Sequence, residues 1–377
     1  MAELAPLWAD IAKCEDTSEL YAKDKCPGNF KLIETVKTAY EAVEKDPKRF
    51  AQVYDAVVDQ LINGTDLKAR SCAAYAAWSK AYRGGKAYEG NSKLALDLLA
   101  ALKKLDKEDG YVGYGIANVL GSWWQKDGEV RKAMLATIKD QSIKSLGGRR
   151  ELIRHSGWAA KDVPDIFGAL RGVAFDPTDN EEVRSEAVSS LAGVARDKPE
   201  VVDVLIGLVD DPLLSVARAA VSGLGSAKAA TPEAKKAQDK LIELLNGGAT
   251  KVPLSTIGSA LGRITEIDGI AAATTYFTAN ADKPGVVGAY VEVIYNATFS
   301  GHFKDNVDGD KALRAGVDLL LKNKGATVSD RRYALDTLGG LGGPKSAAAC
   351  KKFEADADAS LAAAAKKCIE KATAPAK

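Results

Sequence analysis

The residue types that usually perform catalysis are scarce in this sequence. It contains two histidines, His155 and His302, and neither belongs to an HExxH motif or a His-Glu pair that could hold a catalytic metal. The stretch GGLGGPKS, which begins at Gly339, departs from a phosphate-binding loop because Pro344 occupies the place of the second glycine. The sequence therefore predicts no catalytic residues, no metal and no cofactor, and indicates a protein that is not an enzyme.

The five cysteines form two local pairs and one isolated residue. Cys14 and Cys26 flank a short segment near the N-terminus. Cys350 and Cys368 flank another near the C-terminus, and Cys72 stands alone. Bridges at the two ends would protect an exported protein from fraying, so we expect both pairs to be disulfides and Cys72 to be free. The alternative is a cytoplasmic protein with five reduced thiols.

The sequence shows no pattern of a segment that would direct the chain to a membrane or across it. No run approaches about 18 consecutive apolar residues, which predicts that no helix spans a membrane. The opening residues, MAELAPLWAD, lack the basic and apolar regions of a signal peptide. The expected disulfides therefore favour a periplasmic or secreted protein whose signal has been removed, with a cytoplasmic protein as the alternative.

The composition is that of an ordered helical protein without a charge excess. Hydrophobic residues make up 46%, charged residues 27% and aromatic residues only 7%, which disfavours disorder and favours helices over strands. Lys and Arg total 52 against 51 Asp and Glu, whereas proteins that bind nucleic acid usually carry a basic excess. The charge balance therefore argues against nucleic acid as a partner.

A ten-residue helical pattern recurs along the chain. The segment VRSEAVSSLA begins at Val183 and VARAAVSGLG begins at Val216, an offset of 33 residues. Amphipathic segments such as KPEVVDVLIGLVDD lie between the copies, and offsets of this size are typical of repeats built from two helices. The sequence thus predicts stacked helical hairpins. Further copies begin at Ala69, Val112, Arg149, Pro253, Val286 and Asp330.

The best copies resemble the repeats of the HEAT family. They share an aspartate and a proline at the turn between helices, an opening valine, a neighbouring arginine and a closing leucine. The resemblance covers roughly residues 48 to 372 and implies an all-α, right-handed superhelix of about nine hairpins, a HEAT-like solenoid. The matching residues are Asp211, Pro212, Val183, Val216, Arg184, Leu191 and Leu224.

The resemblance also predicts how the chain is organised. We expect an N-terminal cap over residues 1–28, closed by the Cys14–Cys26 bridge, a solenoid over residues 29–372 and a flexible tail over residues 373–377. Iron-binding hydroxylases with HEAT repeats need His-Glu pairs that this sequence lacks. The resemblance therefore implies a fold and says little about function.

One face of the second helices carries the strongest candidate binding residues. Template positions 3, 7 and 10 share a helix face that differs from the core positions 1, 5 and 9. Because aromatic and arginine side chains are the usual anchors of interfaces, we expect a protein or peptide to bind the concave surface where they cluster. The candidate residues on this face are Tyr75, Trp78, Tyr114, Asn118, His155 and Trp158, and the candidates Arg150 and Arg154 lie beside it.

Alternatives to this binding surface stay open. The favoured function is a non-catalytic scaffold whose concave surface binds a protein or peptide. The alternative is an enzyme or nucleic-acid-handling protein similar to DNA glycosylases of the HEAT type, which hold a damaged base with tryptophans and an aspartate. Trp78 and Trp158 would instead be core residues if they pack against the next hairpin. The sequence leaves the partner and the oligomeric state open.

Overall fold

The fold is that of a computed structural model of the chain. It describes residues 3–15, 17–20, 22–81, 92–106, 110–124, 128–247, 251–301, 303 and 306–374. Within these ranges the regular elements are twenty α-helices and two single-turn 3-10 helices, and no strand occurs, which confirms the expected all-α class. None of the helices in these ranges is long and apolar enough to cross a membrane. The chain divides into two compact units, Met1–Ser190 and Leu191–Lys377.

The first unit arranges its helices in two layers. The layer of α2, α4, α6 and α8 and the layer of α3, α5, α7 and α9 each pack in chain order, and α1 lies against α2 and α4. The helices are α1 (Ala5–Ala12), α2 (Pro27–Glu41), α3 (Pro47–Asn63), α4 (Leu67–Ala81), α5 (Ser92–Lys104), α6 (Gly110–Leu120), α7 (Gly128–Lys139), α8 (Leu146–Ala160), α9 (Pro164–Phe175) and α10 (Glu181–Ala192).

The second unit repeats this arrangement. Helices α12, α14, α16, α18 and α20 pack in chain order, and so do α11, α13, α15 and α17, while α19 packs against α18 and α20. The helices are α11 (Val201–Ile206), α12 (Leu214–Leu224), α13 (Pro232–Gly247), α14 (Leu254–Ile264), α15 (Ile267–Asn280), α16 (Val286–Phe299), α17 (Val307–Lys322), α18 (Val328–Leu341), α19 (Gly343–Lys351) and α20 (Ala359–Thr373).

Glycine lets consecutive helices of one layer approach closely. A Cβ atom on Gly258 of α14 would overlap the carbonyl oxygen of Ala289 on α16. A Cβ atom on Gly262, one turn later, would collide with the carbonyl oxygen of Val293. Because the neighbour in both places is backbone and cannot rotate away, the packing of α14 on α16 requires glycine at both positions.

Alanine at Gly258 is expected to destabilise the protein by about 1–3 kcal/mol, because the new methyl group overpacks the contact between α14 and α16. The matched control is Gly288→Ala in α16, where an added Cβ meets nothing within 4 Å. That change is expected to be neutral or to stabilise by up to ~1 kcal/mol, since alanine is the better helix former. Urea unfolding midpoints compare the two, and equal stabilities would contradict the close approach.

Two buried arginines make the same kind of hydrogen bond in successive hairpins. Arg149 Nε donates to the carbonyl oxygen of Ile138 at 2.7 Å, and Arg184 Nε donates to that of Ala174 at 3.1 Å. Both acceptors lie near the end of the preceding helix, where carbonyl groups lack partners within the helix. In these two hairpins the arginine of the repeat therefore joins the two helices.

This contact corrects the register of the copy that the sequence placed at Arg149. The pattern aligned Arg149 with an opening valine, but its contact is that of Arg184, the second residue of its own copy. The copy therefore begins one residue earlier, at Gly148. In this register Arg150 and Arg154 take template positions 3 and 7. The pattern was wrong here because it aligned Arg149 with the valine at position 1 of the template. Arg149 is instead the arginine at position 2.

Arg149 also forms a buried ion pair. Its Nη1 and Nη2 atoms each lie 2.6 Å from one carboxylate oxygen of Asp179. The two side chains are only 1% and 3% exposed. The backbone N–H of Asn180 donates to the same carboxylate at 2.7 Å. The pair thus ties α8 to the loop that precedes α10.

The structure contains both expected disulfides. The Cα atoms are 5.4 Å apart in Cys14–Cys26 and 6.2 Å apart in Cys350–Cys368, within the reach of a bridge. The first joins the end of α1 to the start of α2, and the second joins α19 to α20. Cys72 is free and buried in α4, and burial raises the pKa of its thiol to about 12.

Native protein is expected to resist alkylation at Cys72, because the thiolate is the reactive form and burial suppresses it. Intact mass after iodoacetamide treatment should show no label on the folded chain. Unfolding without reductant should add one label, and unfolding with reductant should add five, since the sequence has five cysteines. Five labels without reductant would show that neither disulfide forms.

Candidate functional site

The candidate residues lie on three helices that pack in chain order. Tyr75 is half-buried on α4, which packs against α6, and α6 packs against α8. Trp78 belongs to α4, but its side chain is outside the described part of the structure. The others are Tyr114 and Asn118 on α6 and Arg150, Arg154, His155 and Trp158 on α8.

Trp158 is the most exposed aromatic side chain among the candidates whose side chains the structure describes. It is 79% exposed, and Tyr114 is 38% exposed. A tryptophan with this exposure contributes little to a core, so packing against the next hairpin does not account for Trp158. Trp123 and Trp124, in contrast, are both buried.

Hydrogen-bonded polar side chains link α6 to α8, the helix that carries Trp158. The amide nitrogen of Asn118 donates to the carbonyl oxygen of Tyr114, so its Oδ1 atom accepts from His155 Nε2 at 2.8 Å. His155 Nε2 also lies 3.4 Å from a carboxylate oxygen of Glu151. A Cβ atom on Gly121 would lie 2.9 Å from the imidazole, so glycine makes room for the ring. These contacts fix the orientation of the His155 ring.

The two arginines are paired with glutamates of α10. Arg150 Nη1 lies 2.6 Å from Glu182 Oε2. Arg154 holds both carboxylate oxygens of Glu186, at 3.1 Å and 3.0 Å, and also contacts Glu151 at 2.9 Å. Three carboxylates therefore face two guanidinium groups. Arg150 and Arg154 are thereby neutralised, and an acidic partner would have to displace these glutamates.

Sequence reasoning missed Glu182 and Glu186, although a signal was present. Each lies 32 residues after the arginine that it pairs with. With the corrected start at Gly148, the offset to the copy at Val183 is 35 residues, so each glutamate lies three residues, nearly one helical turn, before the position equivalent to its arginine. In a stacked repeat, equivalent positions of neighbouring copies are in contact. Opposite charges about one offset apart therefore predict ion pairs between copies.

The described contacts of His155 differ from those of a general base beside a nucleophile. A general base activates a nucleophile through one ring nitrogen while the other is oriented by a third group. Within the described ranges, both polar contacts given for His155 use Nε2, and neither Asn118 nor Glu151 is an activated nucleophile. The same ranges contain no group of three or more His, Cys, Asp or Glu residues placed to hold a metal ion.

No protein-family model matches the sequence, and no curated protein matches it significantly. The class that the fold defines is therefore an all-α protein of sequentially packed helices.

Proposed function

We propose that the protein is a non-catalytic binding scaffold that presents α4, α6 and α8 to a protein or peptide partner. The observation that carries the proposal is the exposure of Trp158, at 79% of its surface. Tryptophan buries a large apolar area with little loss of side-chain freedom, which makes it the commonest anchor of interfaces. Tyr114, on the neighbouring helix, extends the apolar area of the same layer.

A rigid platform supports this role. Several side-chain contacts cross between helices here, among them Asn118 to His155 and Arg154 to Glu186. Groups held in place before binding lose less conformational entropy when the partner arrives. We assign these contacts to positioning the surface, and the binding energy to Trp158.

The proposed architecture is a HEAT-like solenoid, a right-handed superhelix with its second helices on the concave side. The repeated arginine contact supports it, since three copies make it in the same way. Alternation of the helices between two layers within each unit is what stacked hairpins require. The arginines are Arg70, Arg149 and Arg184, each donating to a carbonyl near the end of the preceding helix.

We also propose an extracytoplasmic location. Disulfides persist in oxidising compartments and are rare in the cytosol, and the structure has two. A cytoplasmic protein remains the alternative. The nucleic-acid-handling function loses support because Arg150 and Arg154 already hold glutamates, whereas phosphate binding needs available cations.

A crosslinking pull-down from the native host, read by mass spectrometry, tests the proposal. The baits are the wild-type chain, Trp158→Ala and the control Phe175→Ala, which removes an exposed aromatic from the other layer. Proteins captured by the wild type and the control are expected to be absent from Trp158→Ala. Capture of nucleic acid that is released at moderate salt, or identical proteins on all three baits, would contradict the proposal.

A further inference from the structure

A groove runs between α18 and α20 in the second unit. Its volume is 430 Å³, within the range of pockets that take small ligands or peptide side chains. Each helix contributes residues at i, i+3, i+4 and i+7, so one face of each helix lines the groove. On α20 the middle positions are Ala363 and Ala364, whose small side chains leave the space open.

Two cations line this groove, and neither forms an ion pair with a described carboxylate of the protein. Arg332 on α18 and Lys367 on α20 are exposed. Within the described ranges, neither has an ion-pair partner, and none of their side-chain atoms takes part in a hydrogen bond. Their position differs from that of Arg150 and Arg154, which already hold glutamates.

The nearby carboxylates are engaged elsewhere. Asp336 lines the groove, but it is paired with Lys371 at 2.9 Å. Asp358 feels the charge of Arg332, yet its carboxylate accepts from the backbone N–H groups of Ser360 and Leu361 at the start of α20. The pair of Asp336 and Lys371 carries no net charge. Asp358 offsets part of the Arg332 charge without forming an ion pair with it, so the side chains of Arg332 and Lys367 both remain open to a ligand.

An aromatic wall accompanies this charge. Tyr333 lines the groove and is 44% exposed. Its ring packs edge-on against Tyr295 of α16, with centroids 5.3 Å apart, so its orientation is fixed. A ligand that fits must combine negative charge with an apolar side chain that can lie on the tyrosine ring.

We propose that this groove binds an acidic peptide segment of a partner protein. One carboxylate pairs with the Arg332 guanidinium, whose planar fork matches carboxylate geometry, and a second pairs with Lys367. An apolar side chain beside the carboxylates lies on Tyr333. The site belongs to the second unit and goes beyond the proposed function, so it stands whether or not the Trp158 surface binds a partner.

Selection from a random displayed peptide library on the full-length protein tests this site. The counter-screen uses the double variant Arg332→Gln/Lys367→Gln, and the matched control is Lys366→Gln, a lysine of α20 that does not line the groove. Peptides that depend on the pair should be enriched in Asp and Glu with an apolar neighbour. One such peptide, titrated by fluorescence anisotropy, should bind the double variant at least ~tenfold more weakly and the control within about twofold.

The outcomes separate this site from the other surface. Trp158→Ala should leave the titration unchanged, so a failure of either site does not imply a failure of the other. Selection of no peptide that depends on the pair, or of dependent peptides without acidic enrichment, would overturn the proposal. A single-stranded oligonucleotide that binds through the pair more tightly than the selected peptide would also overturn it.

Discussion

Replacing Asp179 with alanine is expected to lower the free energy of unfolding by about 3–5 kcal/mol. The carboxylate is the buried counter-ion of Arg149, and both guanidinium contacts are 2.6 Å long. Without it, the arginine keeps its charge in a site that water scarcely reaches. The contact to the carbonyl oxygen of Ile138 satisfies only one of the guanidinium donors.

The matched control for this change is Glu182→Ala. Glu182 lies three residues after Asp179 and is the partner of Arg150. That pair is solvent-exposed, so its loss is expected to cost less than about 1 kcal/mol. Urea unfolding monitored by circular dichroism gives both values. If the two variants are equally stable, the buried ion pair does not stabilise the contact between α8 and the loop before α10 more than an exposed pair does.

Removing the Cys350–Cys368 bridge is expected to cost about 3 kcal/mol, because a bridge over a loop of this length restricts the unfolded chain. The bridge spans 18 residues and connects two helices that pack together at the end of the second unit. The double variant Cys350→Ala/Cys368→Ala should therefore melt at a markedly lower temperature than the wild type.

The control for the bridge is Cys72→Ala, which deletes a buried thiol that has no covalent partner. The small change in volume should cost less than about 1.5 kcal/mol. If the double variant loses no more stability than this single variant, the bridge contributes nothing beyond the packing of its two sulfur atoms.

Much of the fold could be predicted from the sequence because successive copies of a repeat form similar contacts. The period near 33 residues and the apolar stripes were enough to predict helices that pack in chain order. Pairs of cysteines close in sequence were enough to predict both bridges. The frame at Arg149 was wrong by one residue because the pattern treated a charged side chain as a substitute for valine.

The site could be predicted only in part. Spacing placed Tyr114, Asn118 and His155 on neighbouring helices, and the structure brings Asn118 and His155 into contact. Spacing could not reveal whether a tryptophan is exposed, since that depends on the side chains of the next hairpin. The groove beside Arg332 was equally invisible, because it exists only where alanines of α20 face the larger residues of α18.

The measurement that tests the central claim most directly is thermal melting and partner binding of Trp158→Ala on the same samples. An exposed residue adds little to stability, so the melting temperature should stay close to that of the wild type. Loss of an interface anchor should weaken binding by ~2 kcal/mol or more, which is about thirtyfold in the dissociation constant. A large fall in melting temperature, or unchanged binding by a folded variant, would contradict the account and place the docking surface elsewhere.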